Sequence, residues 1–109
     1  MPPTIEEIML KVPAKLLQPE FAGTQAVIHF KFTGAQAGEW NAVLRDGKCD
    51  VARGIPRQKP NLSLSVDSGE FMRILGGELD GVEAFMAGTI RIAGDMELAR
   101  RLMQAFTNP

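Results

Sequence analysis

Tyrosine is absent from the 109 residues, and cysteine, histidine and tryptophan each occur once, as Cys49, His29 and Trp40. A lone cysteine cannot close an internal disulfide, and with a single histidine it cannot complete a Cys/His zinc site. A reducing, cytoplasmic setting fits this usage best. Long apolar runs are missing too. The longest stretch free of Lys, Arg, Asp and Glu runs from Phe21 to Phe30, about half of the ~20 residues a membrane-spanning helix needs. Glu6 and Glu7 interrupt the first apolar stripe, unlike a secretory signal, and Thr107-Asn108-Pro109 is not a peroxisomal tripeptide. Neither sign of charge dominates. Twelve Lys and Arg against thirteen Asp and Glu leave a net charge of −1, so nothing overall draws the chain to nucleic acid.

What is present suits one compact domain over residues 1–109, since two would each be too short to bury a core. Thr4 and Glu7 form a capping box, and Ile5, Ile8, Met9, Val12 and Leu16 mark one face of a first helix, which Pro13 should kink or restart. From Ala26 the apolar period becomes two: Ala26, Ile28, Phe30 and Phe32 alternate with Val27, His29 and Lys31. Trp40, Ala42 and Leu44 alternate likewise. Asp46-Gly47 marks a two-residue hairpin turn into a third strand, Lys48 to Arg53, and Leu62, Leu64 and Val66 make a fourth after the proline-bracketed loop Gly54 to Pro60. Asp67, Asp80 and Asp95 cap three further helices, with Ile90 and Ile92 forming a short strand before the last.

Enzyme chemistry has little foothold. His29 alternates with Phe30 on a strand and has no partner implied by spacing, so a catalytic role would need it to share a pocket with a carboxylate. Cys49 reads as a buried structural thiol. Ser63, Ser65 and Ser68 lack a nucleophile elbow, and the glycines near Gly76 follow a helix and do not match a phosphate cradle. The carboxylates near Asp80 are explained by capping. Two features invite binding. Arg53, Arg57 and Lys59, with no acidic residue between Asp50 and Asp67, could meet an anionic headgroup. Phe71, Leu75, Leu79, Phe85, Met86, Met103 and Phe106 place aromatic and sulfur side chains on separate short helices, which suits either an adaptable apolar pocket or an ordinary core.

Taken in order, several segments resemble the sterol-carrier-protein-2 (SCP-2) family of small lipid-binding domains: Ala26-Val27-Ile28-His29-Phe30, Glu39-Trp40, Asp46-Gly47-Lys48-Cys49, Asp67 to Leu75, Gly77-Glu78-Leu79, Ala84 to Gly88, Ile90-Arg91-Ile92 and Gly94-Asp95-Met96. The resemblance implies an α/β fold of the α+β type. Its five-stranded, largely antiparallel sheet would be covered on one face by about five helices, with an apolar tunnel between them. It further implies non-catalytic binding or carrying of a fatty acid, fatty acyl-CoA, phospholipid or sterol-like ligand, without a cofactor. By position, the tunnel would be lined by Phe32, Trp40, Phe71, Leu75, Leu79, Phe85, Met86, Ile90, Leu102, Met103 and Phe106. Two departures, the missing peroxisomal tripeptide and the strand Thr89-Ile90-Arg91-Ile92-Ala93 where lysines are usual, point to a cytosolic bacterial-type member. The alternative is an accessory interaction module or homodimer supporting a lipid- or quinone-synthesis enzyme. Expected contacts are thus a long-chain lipid and transient membrane or enzyme surfaces, for a monomer or homodimer.

Overall fold

The computed structural model describes residues 4–17 and 19–107, apart from the side chains of residues 20, 106 and 107. Helix α1, Ile5–Leu16, starts where Thr4 Oγ1 accepts the Glu7 N–H at 3.1 Å, and it buries Ile5, Met9, Val12 and Leu16 along one face. The helix runs through Pro13 without restarting. The Pro13 carbonyl accepts the Leu17 N–H at 3.0 Å, so the ladder resumes one turn later.

Five strands follow the period-two segments: β1 Ala26–Thr33, β2 Gly38–Arg45, β3 Lys48–Arg53, β4 Leu62–Asp67 and β5 Ile90–Gly94. Their spatial order is β3-β2-β1-β4-β5, and only the central β1·β4 pair is parallel. Asp46 (φ 51°) and Gly47 (φ 75°) make the tight β2–β3 turn, the positive angles that match the twist of a two-residue hairpin. Register aligns Phe30 with Trp40 on one side and Leu64 on the other. Because side chains alternate, this places Ile28, Phe30, Phe32, Trp40, Ala42, Leu62, Leu64 and Val66 on one face, all of them buried.

That face carries the helices: α1, α2 Ser68–Leu75, α3 Gly81–Met86 and α4 Met96–Thr107. Among the described residues two 3₁₀ turns, Pro19–Phe21 and Gly34–Gln36, add to these helices. Each later helix has its aspartate cap: Asp67 accepts from Gly69 and Glu70, Asp80 from Glu83 and Asp95 from Leu98. No helix among the described residues is long and apolar enough to cross a membrane.

Among the described residues the opposite sheet face carries no helix. Residues 54–61 cross it on the way from β3 to β4, and Ile55, Pro56 and Arg57 stand with Val27 and Val43 around a hollow of about 500 Å³ that Arg45, Asp50 and Arg53 also border. Val27, although directed away from the helices, is thereby buried. Asn61 ends the crossover and fixes it to β1: its N–H donates to Val27 O, and its Oδ1 accepts the Val27 N–H, both at 2.8 Å.

Candidate functional site

Between α3, β5 and α4 lies an open cleft of about 470 Å³, within the volume range of small-molecule sites. Val82 and Phe85 of α3, Ile92 of β5, and Met96, Ala99 and Met103 of α4 form its walls, with Asp80, Arg100 and Gln104 at the polar rim. The α4 contributors recur at i, i+3 and i+7, so they stand on one face of the helix. Val82, Phe85 and Met96 keep large apolar side chains in contact with solvent, at 64%, 42% and 47% exposure. Exposed apolar groups around a concavity are what an apolar ligand would cover.

Local geometry shapes the cleft. Gly81 opens α3 without a side chain, and a Cβ there would collide with the tip of Met103, so the helix sits close to α4. Gly77 and Gly88, at φ 79° and 80°, flank the α3 segment. At the rim, Arg100 is already bonded to Glu97 on its own helix. The pairing lowers the Glu97 carboxyl pKa through the Arg100 hydrogen bond and raises that of Arg100 through the same bond.

The residues expected along a tunnel are distributed unevenly. Phe85 and Met103 line the cleft. Phe32, Trp40, Phe71, Ile90 and Leu102 are buried in the core, where the rings of Phe32 and Phe71 meet at 5.1 Å. Leu75 and Leu79 pack partly buried against that core. Met86 faces solvent at 80% exposure. The Phe106 side chain lies outside the described residues. Val82, Ile92, Met96 and Ala99 line the cleft but lie outside the lining that the family resemblance implies, although the pairs Val82/Phe85 and Met96/Ala99 carry the i, i+3 spacing of a shared helix face.

The basic trio also separates. Arg53 bends to the helical side, where it meets Glu6 at 2.7 Å and stacks 4.5 Å over Trp40. Its charge is therefore cancelled by a residue 47 positions away, which inspection of the neighbouring sequence could not reveal. Arg57 and Lys59 remain exposed.

His29 does find a carboxylate. Its Nε2 lies 3.0 Å from Glu39 Oε1 on the helix-free face, away from the cleft. Ser63 is its register neighbour on β4, yet no hydrogen bond joins the Ser63 hydroxyl to the ring. In a central strand the backbone N–H groups serve the sheet ladder, so none is spare for an oxyanion. The pair links β1 to β2 and shows no assembled acyl-transfer geometry.

Cys49 is half-buried on β3. Burial first, and the Asp50 carboxylate second, push its pKa up to about 11 from an ordinary 9.0. At pH 8 the folded protein should hold roughly a hundredfold less thiolate than the unfolded chain, so iodoacetamide should alkylate it far more slowly before than after urea. Equal rates would contradict this. The same shift removes stability as pH climbs from 9 toward 11, because only the unfolded thiol ionises in that window.

Comparison with known proteins agrees with this architecture. The model of the SCP-2 sterol transfer family matches residues 5–107. Hydroxysteroid dehydrogenase-like protein 2 of Xenopus tropicalis is 38% identical over 79 residues, which are 72% of this chain but 19% of the relative. The chain thus spans about a fifth of that relative's length. Among solved structures, sterol carrier protein domain 2 of Helicoverpa armigera superposes with a TM-score of 0.75 at 22% identity, covering 94% of this chain and 87% of that one. Palmitated SCP2L2 from Aedes aegypti superposes at 0.72, also at 22% identity, with 95% of each chain covered. With the family model spanning nearly every residue and the same five-stranded α+β fold, this chain belongs to the SCP-2 sterol transfer family.

Proposed function

We propose that the protein binds one long-chain lipid, a fatty acid or the acyl chain of a larger lipid, in the α3–β5–α4 cleft and releases it chemically unchanged. The observation that carries this reading is the cleft itself, about 470 Å³ in volume with six apolar side chains for walls. Each methylene buried there contributes about 0.8 kcal/mol before ordering costs, so a chain of ~14 to 18 carbons has ample drive. Met96 and Met103 adapt to different chain shapes because their thioethers rotate freely. Membership of a sterol transfer family and the palmitated state of an insect protein with the same fold support the same ligand class. Residues 1–109 act in this reading as one lipid-binding domain, and the single unpaired Cys49 suits a cytoplasmic location.

Trp40 is a poor reporter, since it is buried under Arg53 near α1 and not at the cleft. Displacement of a fluorescent polyene fatty acid by palmitate is the direct assay. The double variant Val82→Asp/Phe85→Asp should lose at least about tenfold in affinity while keeping its circular dichroism, because both side chains are already exposed and charge in the apolar wall repels the chain. Unchanged affinity, or no binding by the parent protein, would overturn the assignment. Self-association that shields the same residues would instead make the cleft an interface for a second copy or an enzyme partner.

A further inference from the structure

We propose that the helix-free face of the sheet docks on an anionic phospholipid bilayer. The near-zero net charge conceals a division between the two faces. Lys31, Arg45, Lys48, Arg57, Lys59 and Arg91 are all exposed on the sheet face or its crossover loop. Register places Lys31 and Arg91 on either side of Ser65, and Arg45 opposite Lys48. Among the described residues the carboxylates on this side are Glu39, already bonded to His29, Asp50, and Asp46 in the turn between Arg45 and Lys48, three against six cations. Most other acidic residues cluster on the helical layer, at the caps Asp67, Asp80 and Asp95 and along α1, α2 and α4.

Pairing divides the same way. On the helical side Arg53, Arg73 and Arg100 are each bridged to a glutamate. Among the described residues none of the six sheet-face cations has an ion pair, and Arg45 makes only a 3.5 Å contact to the neutral Gln58. Their field is therefore directed outward.

The arrangement favours a bilayer over an acidic protein. The cations are spread over a five-stranded face about 20 Å across instead of being gathered in a pocket, which matches a laterally uniform negative surface. On the crossover that stands above this face, Ile55 is 69% exposed beside Arg57. An apolar side chain flanked by cations can enter the headgroup region while the charges meet phosphates. Docking engages the side opposite α3 and α4 and stands apart from the cleft reading, since it is measured with no ligand added.

The experiment is co-sedimentation of the full chain with vesicles of phosphatidylcholine alone or mixed with phosphatidylserine. The protein should partition at least about tenfold more strongly onto the mixed vesicles at low ionic strength, and the excess should shrink at physiological salt. Each basic residue at such a surface strengthens binding about fivefold. The variant Lys31→Gln/Arg57→Gln/Arg91→Gln should therefore lose at least about tenfold, whereas Lys11→Gln/Lys15→Gln/Arg73→Gln, with the same charge change on the helical layer, should stay within about twofold. Ile55→Ser should weaken binding with its salt dependence kept. No preference for phosphatidylserine, or equal losses in the two triple variants, would overturn the proposal. So would face-dependent binding to soluble polyglutamate without vesicle partition, which would identify an acidic protein as the partner.

Discussion

Phe30→Ala is expected to remove about 3–5 kcal/mol of folding free energy, a large part of the ~5–15 kcal/mol that a domain of this size has. Phe30 sits at 1% exposure in the middle of the sheet, between Trp40 on β2 and Leu64 on β4, and its ring is 6.3 Å from that of Phe32. Three strands and the helical layer converge on it. Truncation deletes the apolar surface of the ring and leaves a void that neighbours fixed by backbone ladders cannot fill. Thermal unfolding followed by circular dichroism should show a midpoint lower by more than about 12 °C. Lys31→Ala, one residue along on the other face, should change stability by no more than about 0.5 kcal/mol. Similar effects at the two positions would refute the alternation on which the fold rests.

Gly94→Ala should cost about 3–4 kcal/mol, and it should also disturb the cleft. The residue ends β5 at φ 113°, where an L side chain is strained, and a Cβ there would run into the Asn61 carbonyl. That carbonyl cannot retreat. It accepts the Asp95 N–H at 2.8 Å while the rest of Asn61 is held by both backbone groups of Val27. Asp95 in turn caps α4, so a shift at Gly94 moves the helix that supplies Met96, Ala99 and Met103. Gly88→Ala is the matched comparison: φ is also positive, at 80°, but nothing lies within 4 Å of the added carbon. It should cost only about 1 kcal/mol. Urea denaturation of the two variants measures the difference, and equal losses would show that the Asn61 contact is soft.

Segments whose information is local were readable from the chain. The Thr4, Asp67, Asp80 and Asp95 caps lie where side-chain oxygens precede an apolar helical stripe. The β1, β2 and β4 faces follow from alternation, and Asp46-Gly47 names its own turn. A cap or a hairpin turn is decided within four residues, so its energetics are written in the sequence. Pro13 shows where local reasoning stops. Packing of Met9, Val12 and Leu16 against the core holds the helix through a missing hydrogen bond that would break an isolated one.

The candidate site divides along the same line. Phe85 and Met103 were legible as apolar helix residues, but burial depends on what the third dimension brings opposite each face. Phe32, Trp40, Phe71, Ile90 and Leu102 look no different in sequence from cleft residues, yet the sheet and helices close over them. Arg53 and Arg57 both border the hollow beside the crossover, yet the Arg53 guanidinium turns to Glu6 and the Trp40 ring, a choice made by residues far away in the chain.

The sequence by itself determined the two periodicities, the caps and turns, and with them the α+β class and the family. Tertiary structure alone decided the order β3-β2-β1-β4-β5 with its parallel central pair, because strand partners are chosen by long-range burial that no local propensity encodes. It also decided that an open apolar volume lies at the α3–β5–α4 edge, and that a chain of net charge −1 sets six exposed cations on one side of the sheet, none of them ion-paired among the described residues. Cavities and fields are sums over residues distant in the chain, so they exist only once it is folded.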